Sequence, residues 1–191
     1  PYPARQNIHI TNNKFVYAGS SVVLYNTVGF DISGNIMERA SINYTGFGYK
    51  PHGGMIAHVS GLNGTIQGNT GFNPEGTISI NASKVNVLGN TIAAPAQPLS
   101  GDLDIDQYGI SVMFAAHVNI EGNTISGLEA GPKSGYTNGW PGEGIWVHSS
   151  ASDVTIIGNT LSNNVIGVHV EDAPAVGGPV LRGNQFIGNV Y

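Results

Sequence analysis

The sequence predicts an all-β chain: a single-stranded, right-handed parallel β-helix, a solenoid of about seven coils with three loop insertions on one face. Three observations carry this. A unit of the form apolar-x-apolar-x-Gly-Asn-x-apolar recurs from end to end. A second alternating strand precedes most copies of it. The composition favours strands and turns, with 28 Gly and only 10% charged residues among 191.

The recurring unit reads "IHITNNKF" from Ile8, "FDISGNIM" from Phe30, "GTIQGNTG" from Gly64 and "VNVLGNTI" from Val85. It continues as "VNIEGNTI" from Val118, "VTIIGNTL" from Val154 and "VLRGNQF" from Val180. Its asparagines are Asn13, Asn35, Asn69, Asn90, Asn123, Asn159 and Asn184, separated by 22, 34, 21, 33, 36 and 25 residues. A period of this size marks stacked units that cannot bury their apolar face alone. Gly and Asn both tolerate the left-handed backbone region, so the pairs are expected at bends. Stacked carboxamides can also bond from coil to coil, so the asparagine column is read as structural. Gly188-Asn189 falls off the period and is left out of that column.

The upstream strand is clearest in "GTISIN" from Gly76, "GISVM" from Gly109, "GIWVH" from Gly144 and "GVHVE" from Gly167. Alternation with period 2 gives one buried face. Ile78 and Ile80, Ile110 and Val112, Ile145 and Val147, and Val168 and Val170 are expected to form inward ladders. The right hand follows from the bias of parallel crossovers. Residues 1–191 read as one domain that opens and closes within a coil, without polar caps. Uncapped strand edges invite pairing, so either a longer protein or end-to-end self-association is expected.

Charged residues are scarce against about 25% in an average domain. The net charge is -5, with seven Lys plus Arg and no basic cluster. That argues against nucleic acid, whose binding rests on many phosphate contacts. No apolar run approaches the roughly 20 residues of a membrane helix. There is no cysteine, and Asn43, Asn63 and Asn81 begin glycosylation sequons that matter only in a glycosylating compartment.

The pattern "GIxVxxSxxVxIxGNxI" resembles the parallel β-helix repeats of the pectate lyase-like superfamily, and the resemblance covers nearly the whole chain. It implies the fold strongly and the activity weakly. That group includes polysaccharide lyases, glycoside hydrolases, mannuronan epimerases, phage tailspikes and non-catalytic surface proteins. It implies an extracellular or cell-surface protein that engages polysaccharide or surface glycan. The chain departs from the family's active-site patterns. "YGI" at Tyr108–Ile110 matches the epimerases, but "SVMF" follows where they carry Asp-Pro-His. None of the seven basic residues lies on an upstream strand, where a lyase would need one.

Insertions in a solenoid gather on one face, and that face often binds. The three here span Glu38–Gly54, Ala93–Gln107 and Gly127–Gly144. They carry Tyr49, Tyr136 and Trp140, candidates for stacking on sugar rings or for packing the loops themselves. Asp102, Asp104 and Asp106 alternate along one side of an extended chain, a pattern that suits calcium or a solvated acidic edge. On the upstream strands, alignment puts Trp146 beside His169 and His148 beside Glu171, with Ser111 and Met113 in the same columns. Trp146 is a candidate sugar platform. His148, His169 and Glu171, with Tyr108 and Glu143 just before their strands, could supply general acid and base groups, with His148 or Glu171 as proton carrier. The same residues also suit an ordinary polar sheet surface. Two functions stay open: carbohydrate binding or acid–base processing at the loop-lined face, and a non-catalytic structural or adhesive rod that stacks into a filament.

Overall fold

The computed structural model describes residues 3–16, 21–38, 57–72, 78–94, 108–128, 142–171 and 177–191. Among them are seventeen strands and no helix, hence none long and apolar enough to cross a membrane. The first coils hold two strands each: β1 (Arg5–Thr11) and β2 (Lys14–Val16), β3 (Val23–Ser33) and β4 (Ile36–Glu38), β5 (Ala57–Gln67) and β6 (Thr70–Phe72), β7 (Ile78–Leu88) and β8 (Thr91–Ala93). Later coils hold three: β9 (Tyr108–Val112), β10 (Ala116–Glu121) and β11 (Thr124–Ser126); β12 (Glu143–Val147), β13 (Ser152–Ile157) and β14 (Thr160–Ser162); β15 (Ile166–Val170), β16 (Val180–Arg182) and β17 (Gln185–Ile187).

Every strand pair is parallel, and each partner lies one coil away. The short strands form a seven-stranded sheet in the order β17-β14-β11-β8-β6-β4-β2. The other ten form one sheet, in which β9, β12 and β15 pair as an upstream branch. In β5 and β7 the upstream and middle strands run together as 11 residues. This stacking is the parallel β-helix that the repeat predicts.

The inward ladders fall where the period-2 pattern puts them. Ile78 pairs with Ile110, Ile110 with Ile145 and Ile145 with Val168. Ile80, Val112, Val147 and Val170 form the next row. Ile78, Ile80, Ile110, Val112 and Ile145 are fully buried. Each such side chain contributes about 1.5–3 kcal/mol by leaving water.

The seven period asparagines form one unbroken column. Each side-chain Nδ2 donates to the next Oδ1, from Asn13 through Asn35, Asn69, Asn90, Asn123 and Asn159 to Asn184, at 2.9–3.0 Å. The same oxygens accept the backbone N–H of the preceding rung. Asn35, Asn69, Asn90, Asn123 and Asn159 are buried inside the bend. In each pair it is the residue before the asparagine that takes the left-handed backbone, with Asn12 in the first coil and Gly34 to Gly183 after it. The pairs thus sit at the bends as expected, with Gly (Asn12 in the first coil) making the turn and the following Asn satisfying it from within.

Two features escape the period. Asn189, set aside as off-period, starts a second column at the end of the short sheet. Its Oδ1 accepts from Asn164 N, and Asn164 Oδ1 accepts from Leu128 N. Second, the bend between upstream and middle strands is another left-handed column: Asn7, Gly29, Asn63, Lys84, His117, Asp153 and Gly177. A Cβ on Gly29 would approach Asn7 Oδ1 to 2.9 Å, so the glycine there serves close packing as well as φ.

Asn123→Ala should lower unfolding free energy by about 3 kcal/mol, because several buried backbone groups lose their partner. Asn119→Ala, on the outer face of the preceding strand β10, should change it by under about 0.5 kcal/mol. Urea unfolding of both variants checks this; equal effects would deny the column its structural role.

Candidate functional site

The outer face of β9, β12 and β15 gathers most of the polar and aromatic residues singled out in the sequence. Its geometry begins at a glycine column. Gly109, Gly144 and Gly167 open these segments with no side chain to spare: a Cβ on Gly144 would lie 2.5 Å from Gly167 O and 3.0 Å from Leu161 Cδ2. Gly144 thus faces the core, and so does its neighbour Ile145. Two successive inward positions break the alternation, which returns Glu143 to the outer side with Trp146. Glu143 is only 2% exposed, yet its carboxylate meets His169 Nδ1 at 2.7 Å. A buried carboxylate on Nδ1 holds the ring in one orientation and leaves Nε2 as the nitrogen that Glu143 does not engage. The His169 side chain is 34% exposed.

The register predicted from alignment holds. Trp146 pairs with His169 on one side and Ser111 on the other. His148 Nδ1 lies 3.4 Å from Glu171 Oε2, and His148 Nε2 lies 3.4 Å from Ser111 Oγ. Both ring nitrogens of His148 are thus engaged, and its side chain is 13% exposed. Burial holds the His148 pKa below its usual value; Glu171 opposes this through its charge and hydrogen bond, and His169 reinforces it.

Trp146 points outward but does not offer an open platform. It is 8% exposed, and the His148 ring lies over it with centroids 3.7 Å apart. The His169 ring is parallel to it at 6.2 Å, and half-buried Tyr108 meets it edge-on at 6.1 Å. The indole is the hub of a packed cluster with an imidazole on its face. That is the physical reason it differs from the sugar platform expected from strand alternation alone. Alternation gives the side of the sheet and says nothing of side chains two residues apart folding together.

Tyr49, Trp140, Tyr136, Asp102, Asp104 and Asp106 lie outside the described residues, as does Asn43. Among the described residues no group of three metal-binding side chains occurs. Asn63 is exposed at a left-handed corner. Asn81 is half-buried, with its amide nitrogen facing the Met113 and Ile80 carbonyl oxygens at 3.1 Å when turned to satisfy both. The contacts that sequence reasoning missed are Glu143–His169 and Ser111–His148. The "GI" doublet after Glu143 carried the signal for the first, since Gly and Ile both facing inward shifts the phase of what precedes them.

Compared with known families, residues 51–191 match the pattern described as the right handed beta helix region. The chain belongs to the right-handed β-helix family. No curated protein and no solved structure matches it significantly. The fold of this right-handed β-helix protein agrees with the pectate lyase-like resemblance, and the family description carries no activity.

In this right-handed β-helix protein, His148 should titrate below the ordinary 6.5 in a histidine NMR pH series. The sign for stability follows. A histidine kept neutral by folding lends its stability in full above the unfolded pKa, and loses it as pH falls through the folded value. His148→Gln should flatten that acid limb. A His148 resonance titrating above 6.5 would contradict the burial described.

Proposed function

We propose that the face built by β9, β12 and β15 carries out proton transfer on an extracellular or cell-surface polysaccharide. His169 is the proton carrier, and Glu143 orients it. The observation that supports this is the 2.7 Å contact between the buried Glu143 carboxylate and Nδ1 of a partly exposed imidazole. A buried acid that orients a histidine leaves Nε2 placed to take or give a proton. His148, offered with Glu171 as the proton carrier from sequence, is the better positioning group, since Ser111 and Glu171 occupy both its nitrogens. Lyase, epimerase and hydrolase chemistry all need such a group. A hydrolase also needs a second carboxyl, for which Glu171, paired with His148, is the candidate. The loop aromatics Tyr49, Tyr136 and Trp140 remain proposed sugar contacts, and a calcium ion on Asp102, Asp104 and Asp106 remains a proposal too.

A second reading is the self-stacking structural rod. It draws on the apolar residues of β16 and β17, where Leu181 is 43% exposed and Phe186 and Ile187 are 53% exposed. A further coil stacked there would cover them.

One experiment separates the two. The 191-residue chain is incubated with acidic and neutral polysaccharides, and product size and new reducing or unsaturated ends are followed. The first reading expects turnover with one class and a fall of about 10²–10⁴ in His169→Ala. Glu143→Gln should slow the reaction with the fold intact. Full turnover by His169→Ala would overturn the assignment. No turnover or binding with any polymer, together with concentration-dependent assembly in sedimentation, would favour the rod.

A further inference from the structure

A polar concavity lies away from that face. It is a groove of about 450 Å³ on the outer side of β1, β3, β5 and β7, one strand position along from the upstream branch. Two rows line it. The corner row is Asn7, Gly29, Asn63 and Lys84; the strand row is His9, Asp31, Thr65 and Asn86. Gly29 contributes no side chain and Thr65 a short one, which lowers the middle of the groove between longer walls.

Two residues here are costly to keep. Lys84 holds φ +57°, in a column that elsewhere holds Gly, Asn, Asp and His. Lysine gains nothing from the left-handed region, whereas Gly and Asn enter it with less strain. Among the described residues its ammonium has no ion-pair partner. Asp31 is the second. Its Oδ2 faces exposed His9 Nδ1 at 3.8 Å, while Oδ1 is buried without a hydrogen-bond partner. A strained cation and an orphaned acceptor in one groove are the kind of outlier that binding sites retain.

We propose that this groove is a separate binding site for an anionic, hydroxyl-rich ligand, an acidic oligosaccharide lying along the helix axis. Its acid group meets Lys84, and its hydroxyls bond to Asp31 Oδ2, Asn63 and Asn86. Two coil steps separate Asp31 from Lys84, about 10 Å along the axis. The negative Asp31 and the positive Lys84 therefore read different parts of the ligand and fix its direction. The site does not depend on proton transfer at His169.

Calorimetric titration of the full chain at low salt tests this. The probes are a uronic-acid oligosaccharide, a sulfated one and a neutral one of equal length. At least one acidic probe should bind, and which one binds identifies the acid. Lys84→Asn should weaken it roughly two- to fivefold. Lys84→Arg should retain most of the affinity, and added salt should reduce it. Arg182→Ala, which removes an exposed positive charge on β16 away from both faces, should leave it unchanged. Lys84→Asn introduces a residue already present in the column at Asn7 and Asn63, so circular dichroism should report an intact fold. Unaltered binding by Lys84→Asn overturns the proposal. So does failure of both acidic probes, or an equal loss of binding in Arg182→Ala and Lys84→Asn.

Discussion

The structure depends on one constraint: each coil must sit on the next without slipping by a residue. A one-residue slip would turn every inward aliphatic outward. Two interactions prevent it. The buried ladders led by Ile78, Ile110 and Ile145 favour one of the two faces. The asparagine column then selects a single register, since each carboxamide bonds both the neighbouring carboxamide and a backbone group one coil away. Aliphatic packing is non-directional and would tolerate a two-residue shift. The carboxamide bonds would not, because a shifted coil leaves buried donors and acceptors unmet.

Fixed register allows single residues from distant parts of the chain to form a site. Glu143 and His169 are 26 residues apart, and Ser111 and His148 are 37 apart, yet each pair meets across neighbouring coils. The upstream face is packed around Trp146 rather than laid out as a flat polar ladder. Packing sets different tasks for the two histidines. His148 lies on the indole with both nitrogens engaged, while the partly exposed His169 is held by a buried acid through Nδ1. The groove on β1 to β7 uses the same rod differently, placing small and long side chains in adjacent coils.

The fold was legible because its repeat is written in residues whose chemistry demands it. Seven Gly-Asn or Asn-Asn pairs at the period, and alternating Ile and Val, leave few alternatives to stacked coils. Pairwise alignment of "GIWVH" with "GVHVE" even gave the correct neighbours Trp146–His169 and His148–Glu171. Features that depend on local breaks in the repeat were not legible. Glu143 reaches His169 because Gly144 and Ile145 both face inward, an exception to the alternation used to read the strands. Asn189 looked off-period because it belongs to a second column with Asn164. Lys84, His117 and Asp153 occupy left-handed corners that their residue types do not announce.

Because the chain contains no cysteine, its register can be read by cross-linking without interference. Thr124 and Thr160 are direct partners on β11 and β14, and Ser162 lies two residues beyond Thr160. Cysteines at 124 and 160 should oxidise to an intrachain disulfide in the folded protein, since neighbouring parallel strands bring Cα atoms within bridging range. Cysteines at 124 and 162 should remain thiols under the same conditions. Preferential bridging of 124 with 162 would place the coils in another register and contradict the account at its base.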